Sequence, residues 1–174
     1  MILSFFLEMK TRVTICCAII LLLMNNKTLL AQEQPPQPIS IYVDPEEALN
    51  FGAFYPAASG GTITVSTNGS RTVTGDVVPI NQGFTFSAAT FEVGALPGTI
   101  VHVQNGPDAI IFGSNGGTMT LHLEDSDPFS PFISNVAPPG RTQVRISGTL
   151  MVGDILTNKP GNYTGTFTIT FNQE

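Results

Sequence analysis

Apolar and polar residues alternate with a period of two over most of this chain, and this pattern limits what the chain can fold into. The clearest example is GNYTGTFTITF, residues 161–171, in which threonine occupies every even position from Thr164 to Thr170. Side chains on a β-strand point to alternate faces, so this period predicts a strand with one apolar face. No segment shows a sustained helical period, and only PEEAL, residues 45–49, indicates a helical turn.

Short β-branched runs of this kind are separated by turn sequences rich in glycine, proline and asparagine. These breaks read LPGT, NGPD, GSNGG, APPGR and NKPGN. The predicted strands are residues 39–43, 62–66, 71–75, 84–93, 99–104, 109–112, 118–123, 143–152 and 163–171. Many short strands at this spacing predict an all-β fold, a single antiparallel β-sandwich over residues 39–174.

The hairpin around Asn68-Gly69 is a case in which side-chain burial and the commonest turn disagree. A two-residue loop there would place Val65 and Val73 on opposite faces of the hairpin. A loop of odd length, for instance residues 68–70, would set Val65 opposite Val73. Because a one-residue slip exposes the whole apolar face of a strand, we predict an odd loop or a bulge.

The last predicted strand contains Gly165 on its apolar face, between Tyr163 and Phe167. A glycine inside a strand indicates a bulge or a close approach of another backbone. We expect this strand to belong to the sandwich of its own chain, next to the first strand, with contact to another chain along its edge.

The N-terminus has the organisation of a secretory signal peptide. Lys10 and Arg12 precede the uncharged apolar run VTICCAIILLLM, and the small residue Ala31 ends a short polar stretch. The apolar run has twelve residues, fewer than the ~20 that a membrane-spanning helix needs, so an N-terminal anchor is the alternative interpretation. We predict a signal peptide over residues 1–31, with Met9 as an alternative start, and a flexible polar leader over residues 32–38.

Charge and cysteine content exclude several classes of partner and cofactor. Removing residues 1–31 takes one acidic and three basic residues, which leaves 12 acids, 4 bases and a net charge near −8. A chain with so few cations has no basic patch for nucleic acid or for an anionic membrane surface. Both cysteines, Cys16 and Cys17, lie in the predicted signal peptide, so the mature chain would have no disulfide and no thiolate metal site.

Catalytic motifs are missing from the sequence. His102 and His122 lie on predicted strands, on the opposite face from their apolar neighbours, so both are expected to face solvent. In residues 118–123 the predicted core face is Met119, Leu121 and Leu123. The sequence has no HExxH, GxSxG or phosphate-loop motif, and GSNGG at 113–117 reads as a flexible loop. We therefore expect no catalytic, metal-binding or cofactor-binding residues and no enzymatic activity.

The acidic run EDSD, residues 124–127, is the strongest candidate for a cation site. Three carboxylates in four residues could contribute to a calcium site in an extracellular loop. The EF-hand spacing and its turn glycine are missing, however, so the sequence favours a loop whose charges are simply solvated.

Two blocks, GGTxTV…RTxTGxV and PGxYxGTFTxT, are distinctive in combination. Together with LNFGAFYP (49–56), FEVGALPG (91–98) and GGTMTL (116–121), they resemble a domain-of-unknown-function family of exported bacterial proteins. The resemblance covers residues 49–172 and implies an immunoglobulin-like all-β domain without catalytic residues. The residues that carry the motifs are Gly60, Gly61, Arg71, Gly75, Gly161, Tyr163, Gly165, Phe167, Ile169 and Phe171.

This family is distantly similar to pilin and spore-coat-U-like subunits of chaperone–usher systems. Such subunits have a last strand with alternating apolar residues, a glycine fourteen residues from the end and a penultimate aromatic residue. Gly161 is the fourteenth residue from the end here, but the penultimate residue is Gln173.

Subunits of this kind also donate an N-terminal extension to the open groove of a neighbour, which is a form of strand addition. ISIYV, with Ile39, Ile41 and Val43 alternating after the polar leader, could be such a donor. Alternatively, it is simply the first strand of its own domain. Nine predicted strands exceed the seven of a closed immunoglobulin-type sandwich, so we favour the second interpretation.

The sequence as a whole predicts an exported, non-enzymatic structural or adhesive domain, in the periplasm, at the cell surface or outside the cell. A pilin-like subunit of a surface assembly is the more specific form of this prediction. Its partners would be other protein subunits, or further copies of the chain, that contact strand edges. The alternative is an extracellular ligand- or glycan-binding module.

Overall fold

The structure is a computed structural model that describes residues 37–81 and 83–174. The predicted signal peptide and residues 32–36 of the predicted leader lie outside these ranges. The described part of the chain is all-β, and every strand pair in it is antiparallel, so the predicted antiparallel sandwich is confirmed. Its strands are β1 (Ser40–Val43), β2 (Ala53–Val65), β3 (Arg71–Ile80), β4 (Ala89–Gly94), β5 (Ile100–Asn105), β6 (Ala109–Gly113), β7 (Thr118–Asp127), β8 (Phe132–Ile133), β9 (Thr142–Val152), β10 (Tyr163–Thr164) and β11 (Ile169–Gln173).

Two sheets enclose the core. The larger sheet has the order β1-β4-β9-β7-β6-β10, and β2 joins it by pairing with both β9 and β3. The smaller sheet has the order β11-β5-β8. Val101 and Phe132 of the smaller sheet pack in one buried cluster with Ile63, Val144 and Ile146 of the larger sheet. Both sheets therefore contribute to one hydrophobic core.

Strand β2 bends sharply between Pro56 and Gly61, where its register with β3 shifts. Residues 61–65 pair with both β3 and β9, whereas residues 53–56 pair with β3. Three glycines meet at the bend: a Cβ atom on Gly61 would collide with the carbonyl oxygen of Thr74, and one on Gly75 would lie 2.7 Å from that of Gly60. The bend therefore depends on having glycine, which has no side chain, at these three positions. It carries residues 53–56 away from β9.

The predicted last strand, residues 163–171, is two strands in the structure. Tyr163 and Thr164 form β10 against β6 of the larger sheet, and β11 pairs with β5 of the smaller sheet. The predicted position next to the first strand is also wrong, because β1 pairs with β4. The expectation of a close approach at Gly165 is confirmed, since a Cβ there would lie 2.5 Å from Ile111 Cδ1 and 2.9 Å from the Ile110 carbonyl oxygen.

The hairpin between β2 and β3 has an odd loop, as predicted from burial. Ser66 and Ser70 are joined by a backbone hydrogen bond, which leaves residues 67–69 as the loop. This loop lies one residue earlier than a loop at residues 68–70 would, so Val73 pairs with Ile63 and Val65 pairs with Arg71. Val65 and Val73 still share one face of the hairpin.

Several element boundaries differ from the sequence-based prediction. Strand β2 begins at Ala53 rather than residue 62, β4 begins at Ala89 rather than residue 84, and the short β8 was not predicted. The helical turn is present as a 3-10 turn, Pro45–Glu47, which the Asp44 carboxylate caps. In β7 the predicted faces are confirmed: Met119, Leu121 and Leu123 are buried and His122 is exposed.

Candidate functional site

An open apolar groove of about 730 Å³ cuts into the sandwich. Its floor consists of core side chains of the larger sheet, Ile111, Met119, Leu121 and Leu150. Residues 48–56 line it as the first wall, and residues 158–167, excluding Thr166, line it as the second wall. The exposed side chains of Phe84 and Ile155 also contribute to its lining. We call this feature the groove.

Arg71 fixes the first wall. Its Nη1 donates to the carbonyl oxygens of Phe51 and Ala53, at 2.9 and 3.4 Å, and its Nη2 donates to the side chain of Asn81 at 2.7 Å. The guanidinium also lies over the ring of Phe86, 4.5 Å from its centroid. This motif residue therefore acts as a structural clamp that holds the chain before the bend of β2.

The second wall is anchored through Asn158, whose side chain is fully buried. Its Nδ2 donates to the carbonyl oxygen of Thr118 at 2.8 Å, and its Oδ1 accepts from the Gly153 amide. Tyr163 closes the turn by donating from its hydroxyl to the carbonyl oxygen of Lys159 at 2.9 Å. Both walls are thus held by hydrogen bonds that leave the groove itself open.

The backbone of the second wall is not fully paired. Thr166 and Phe167, which lie between β10 and β11, make no backbone hydrogen bond to another residue within the ranges the structure describes. Unpaired N–H and C=O groups beside an apolar floor form a template for an additional strand. The groove is therefore suited to an extended peptide with apolar side chains at alternate positions.

Strand β1 is the second notable feature, because all four of its residues are exposed. It pairs with β4 of its own chain, with Ile41 opposite Val93 and Val43 opposite Phe91. The exposed fractions of Ile41 and Val43 are 36% and 61%, so these two side chains contribute little to the core, whereas Ile39, just before β1, is partly buried against it. ISIYV is thus paired in its own domain in this structure, and a donor role for it stays a prediction.

The structure brings four of the predicted motif residues together at the groove, namely Gly161, Tyr163, Gly165 and Phe167. The others lie elsewhere. Gly60, Gly61 and Gly75 form the bend of β2, Arg71 holds the first wall, and Ile169 and Phe171 pack on the core from β11. The ring of Phe171 lies 5.5 Å from that of Phe91, centroid to centroid.

The acidic run at residues 124–127 is exposed for the most part, but it forms the end of β7 rather than a loop. The ladder between β7 and β9 shifts register between Leu123 and Ser126. The Glu124 carboxylate accepts from the Thr149 hydroxyl, and the Asp125 carbonyl oxygen accepts from Ser147. The run is thus tied to β9 through these hydrogen bonds.

The two histidines each lie near a carboxylate. His122 Nδ1 is 2.7 Å from Asp108 Oδ1, and the hydrogen bond to Asp108 raises the pKa of His122 above its usual value near 6.5. His102 Nε2 is 3.4 Å from the carboxylate of Glu174. Among residues 37–81 and 83–174, no three His, Cys, Asp or Glu side chains are placed to hold a metal ion.

The first wall is the part of the site that the predicted strands missed. LNFGAFYP contributed to the family resemblance but was not assigned a strand. Leu49, Phe51 and Ala53 alternate with polar or small residues there, so a two-residue period was present as a signal. The run is short and ends in Phe54-Tyr55-Pro56, which breaks the alternation.

In the described part of the chain, no helix has the length and apolar character needed to cross a bilayer.

Comparison with known proteins gives one family match. The family model described as Domain of unknown function (DUF4402) matches residues 41–172. Searches of curated proteins and of solved structures gave no significant match.

Proposed function

The chain belongs to the family Domain of unknown function (DUF4402), and from this premise we propose that it is an exported, non-enzymatic structural domain that assembles with other protein chains in a pilin-like manner. The single observation that carries this proposal is the groove, which opens the hydrophobic core beside an incompletely paired backbone. The basic residues and apolar run at the N-terminus support export.

The chemistry of the groove favours a strand as its occupant. Its floor is aliphatic, and burying apolar surface there yields about 25 cal/mol per Å². A lipid chain would also bury this surface, but it could not pair with the free backbone groups of Phe167 on the second wall. A polypeptide strand satisfies both requirements, because it supplies backbone donors and acceptors along with alternating apolar side chains.

Strand β1 of another copy is the proposed occupant. Ile39, Ile41 and Val43 alternate in ISIYV, and of these three only Ile39 would give up contact with the core if the segment left β4, because Ser40–Val43 are already exposed. The preceding leader, QEQPPQP, contains three prolines, which lack the backbone N–H that a paired strand needs. The apolar segment closest to the N-terminus of the predicted mature chain that can pair as a strand is therefore ISIYV.

Peptide binding to a truncated domain tests this proposal. We would titrate a synthetic peptide of residues 37–44 into the predicted mature chain lacking residues 32–43 and into the undeleted chain, whose own β1 still covers β4. A rise in stability seen only after the deletion would mark return of the peptide to β4 rather than binding in the groove. The expected result is a rise in thermal stability with peptide concentration, because a ligand of the folded state must stabilise it. A matched peptide with Ile41→Asp and Val43→Asp should give no rise.

The association state of the undeleted chain gives the second arm of the test. We expect light scattering to detect oligomers after unfolding and refolding at high concentration, and deletion of residues 32–43 to abolish them. A strictly monomeric, cooperatively folding domain that is unaffected by the deletion would refute the proposal.

A further inference from the structure

Strand β1 is held to its sheet by three side chains from three parts of the chain. Tyr42 lies on β1, Glu92 lies opposite it on β4, and Arg141 lies immediately before β9. The Arg141 guanidinium stacks on the Tyr42 ring, 3.4 Å from its centroid, and its Nη1 lies 2.7 Å from Glu92 Oε2. We call these three residues the clasp.

We propose that the clasp controls how readily β1 leaves β4 and so becomes available to another copy of the chain. This inference rests on the proposed function for its biological role, but the opening of β1 is a property of the isolated domain. It concerns the regulation of the same strand and names its partner as a second copy.

Burial contributes little to the attachment of Ser40–Val43, because all four residues of β1 are exposed, and the nearest core contact is that of Ile39, just before the strand. By contrast, β4 contributes the buried side chains of Ala89 and Val93, and β9 contributes Val144 and Ile146. Removing β1 would break its ladder with β4 and few core contacts. Side-chain contacts outside the core therefore contribute a large part of the free-energy difference between β1 paired with β4 and β1 released from it.

Arg141 is well placed to supply those contacts. Its guanidinium joins β1 to β4, and its backbone continues directly into β9, so one side chain links the edge strand to the next two strands of the sheet. A planar guanidinium can stack on an aromatic ring and pair with a carboxylate at the same time, which a lysine ammonium does less well.

The charges around Arg141 reinforce this role. A hollow beside β1 is lined by Arg141 together with the acidic residues Asp44, Glu47 and Glu92. Arg141 is the one cation among the residues that line this hollow. Its loss would remove the attraction to Glu92 and leave three neighbouring carboxylates to repel one another, next to the end of β1.

Native-state hydrogen exchange of the whole predicted mature chain tests the clasp. In Arg141→Gln we expect the amides of residues 40–43 and 91–94 that pair β1 with β4 to exchange about three to ten times faster, from the loss of one stacked cation and one exposed ion pair. Exchange in β7 and in the centre of β9 should not change. Added salt should accelerate β1 exchange in the wild type and reduce its difference from the variant.

Arg145→Gln is the matched control. Arg145 carries the same charge four residues further along, within β9, and its Nη2 donates to Gln143 rather than to β1. Tyr42→Leu provides a second variant, which keeps apolar bulk on β1 and removes the ring, and it should accelerate the same amides. Arg141→Lys should give an intermediate rate, because it keeps the charge and loses the planar stack.

The outcomes separate this inference from the proposed function. Equal β1 exchange in Arg141→Gln and Arg145→Gln would overturn the clasp, and so would an acceleration spread evenly over the whole domain. Faster exchange confined to β1 and β4, in a chain that never forms oligomers, would support the clasp and refute assembly. Faster exchange together with faster oligomer formation would support both.

Discussion

The two ends of the core differ in how they are covered. At the closed end, Val93, Val101, Val144 and Ile146 lie between two sheets and have almost no exposed surface. At the groove, equally apolar floor residues such as Leu121 lie beneath walls that do not meet. The chemistry of the side chains is the same at both ends, so the difference lies in the backbone above them. The floor residues themselves stay buried, with Leu121 only 2% exposed, so the groove reaches the core without exposing its side chains to any large extent.

Truncation of one core residue at each end should give the largest effect. We expect Ile146→Ala to lower the free energy of unfolding by about 2–5 kcal/mol, because it leaves an enclosed cavity. Leu121→Ala should cost less, near the lower limit of that range, because water can enter from the groove. Urea denaturation measures both, with the exposed Ile110→Ala as a control expected to cost about 0.5 kcal/mol or less. Equal costs for Ile146 and Leu121 would contradict the distinction between the two ends.

A substitution at the bend of β2 should have the next largest effect. Gly61→Ala places a methyl group against the backbone of β3, which cannot move independently, so we expect a loss of about 1–3 kcal/mol. Gly83→Ala is a useful control, because nothing lies near its Cβ position and any cost would arise from its positive φ of 78°. If thermal unfolding showed no loss for Gly61→Ala, the bend would not depend on close packing.

Release of the first wall of the groove should lower the free energy of unfolding less than the substitution at the bend does. Its main effect should be faster hydrogen exchange in the wall itself. Arg71→Ala removes hydrogen bonds to Phe51 and Ala53, and we expect a loss of about 1–2 kcal/mol since the site is only part-buried. Hydrogen exchange should accelerate at residues 51–56 and remain unchanged at the closed end. Arg71→Lys separates charge from geometry, because lysine cannot reproduce the paired donors. Unchanged exchange in the wall of Arg71→Ala would show that the clamp is dispensable.

The smallest expected effect is the pH dependence of the exposed His122–Asp108 pair. The hydrogen bond to Asp108 raises the pKa of His122, so protonated His122 stabilises the fold. This contribution is complete below the unfolded pKa near 6.5 and is lost as pH rises through the higher folded pKa. His122→Asn should therefore differ from wild type in melting temperature at about pH 5.5 and match it above about pH 8. Proton NMR titration of the imidazole checks the direction, and a His122 pKa at or below its usual value would contradict it.

The two-residue alternation of apolar and polar side chains predicted those parts of the fold in which a strand stays in one sheet. The core face of β7 and the odd loop before Arg71 both follow from keeping apolar residues on one side. The passage of residues 163–171 from one sheet to the other could not be predicted in this way. Tyr163 before the change and Ile169 and Phe171 after it follow one alternation, so the pattern contains no mark of the change beyond Gly165.

The groove could be predicted even less. It is formed by the space between two walls that are about a hundred residues apart in sequence, and neither wall shows a long alternating run before residue 163. Its existence depends on tertiary positions that Arg71 and Asn158 fix through hydrogen bonds. Arg71 was identified as a motif residue, but its clamp role required the structure. Leu49 and Phe51 belong to a run with a two-residue period, but the run is too short for a strand to be assigned from sequence.

β1 and β11 belong to different sheets and do not pair, but the hydrogen bond from the Ile39 amide to the side chain of Gln173, at 2.8 Å, brings the start of the first strand close to the end of the last. Any tether attached at either end would therefore leave the domain from the same place, and the remaining surface would stay accessible. A short linker could also join the two ends and allow new termini at the exposed 67–69 loop. The domain is in this respect suited to circular permutation.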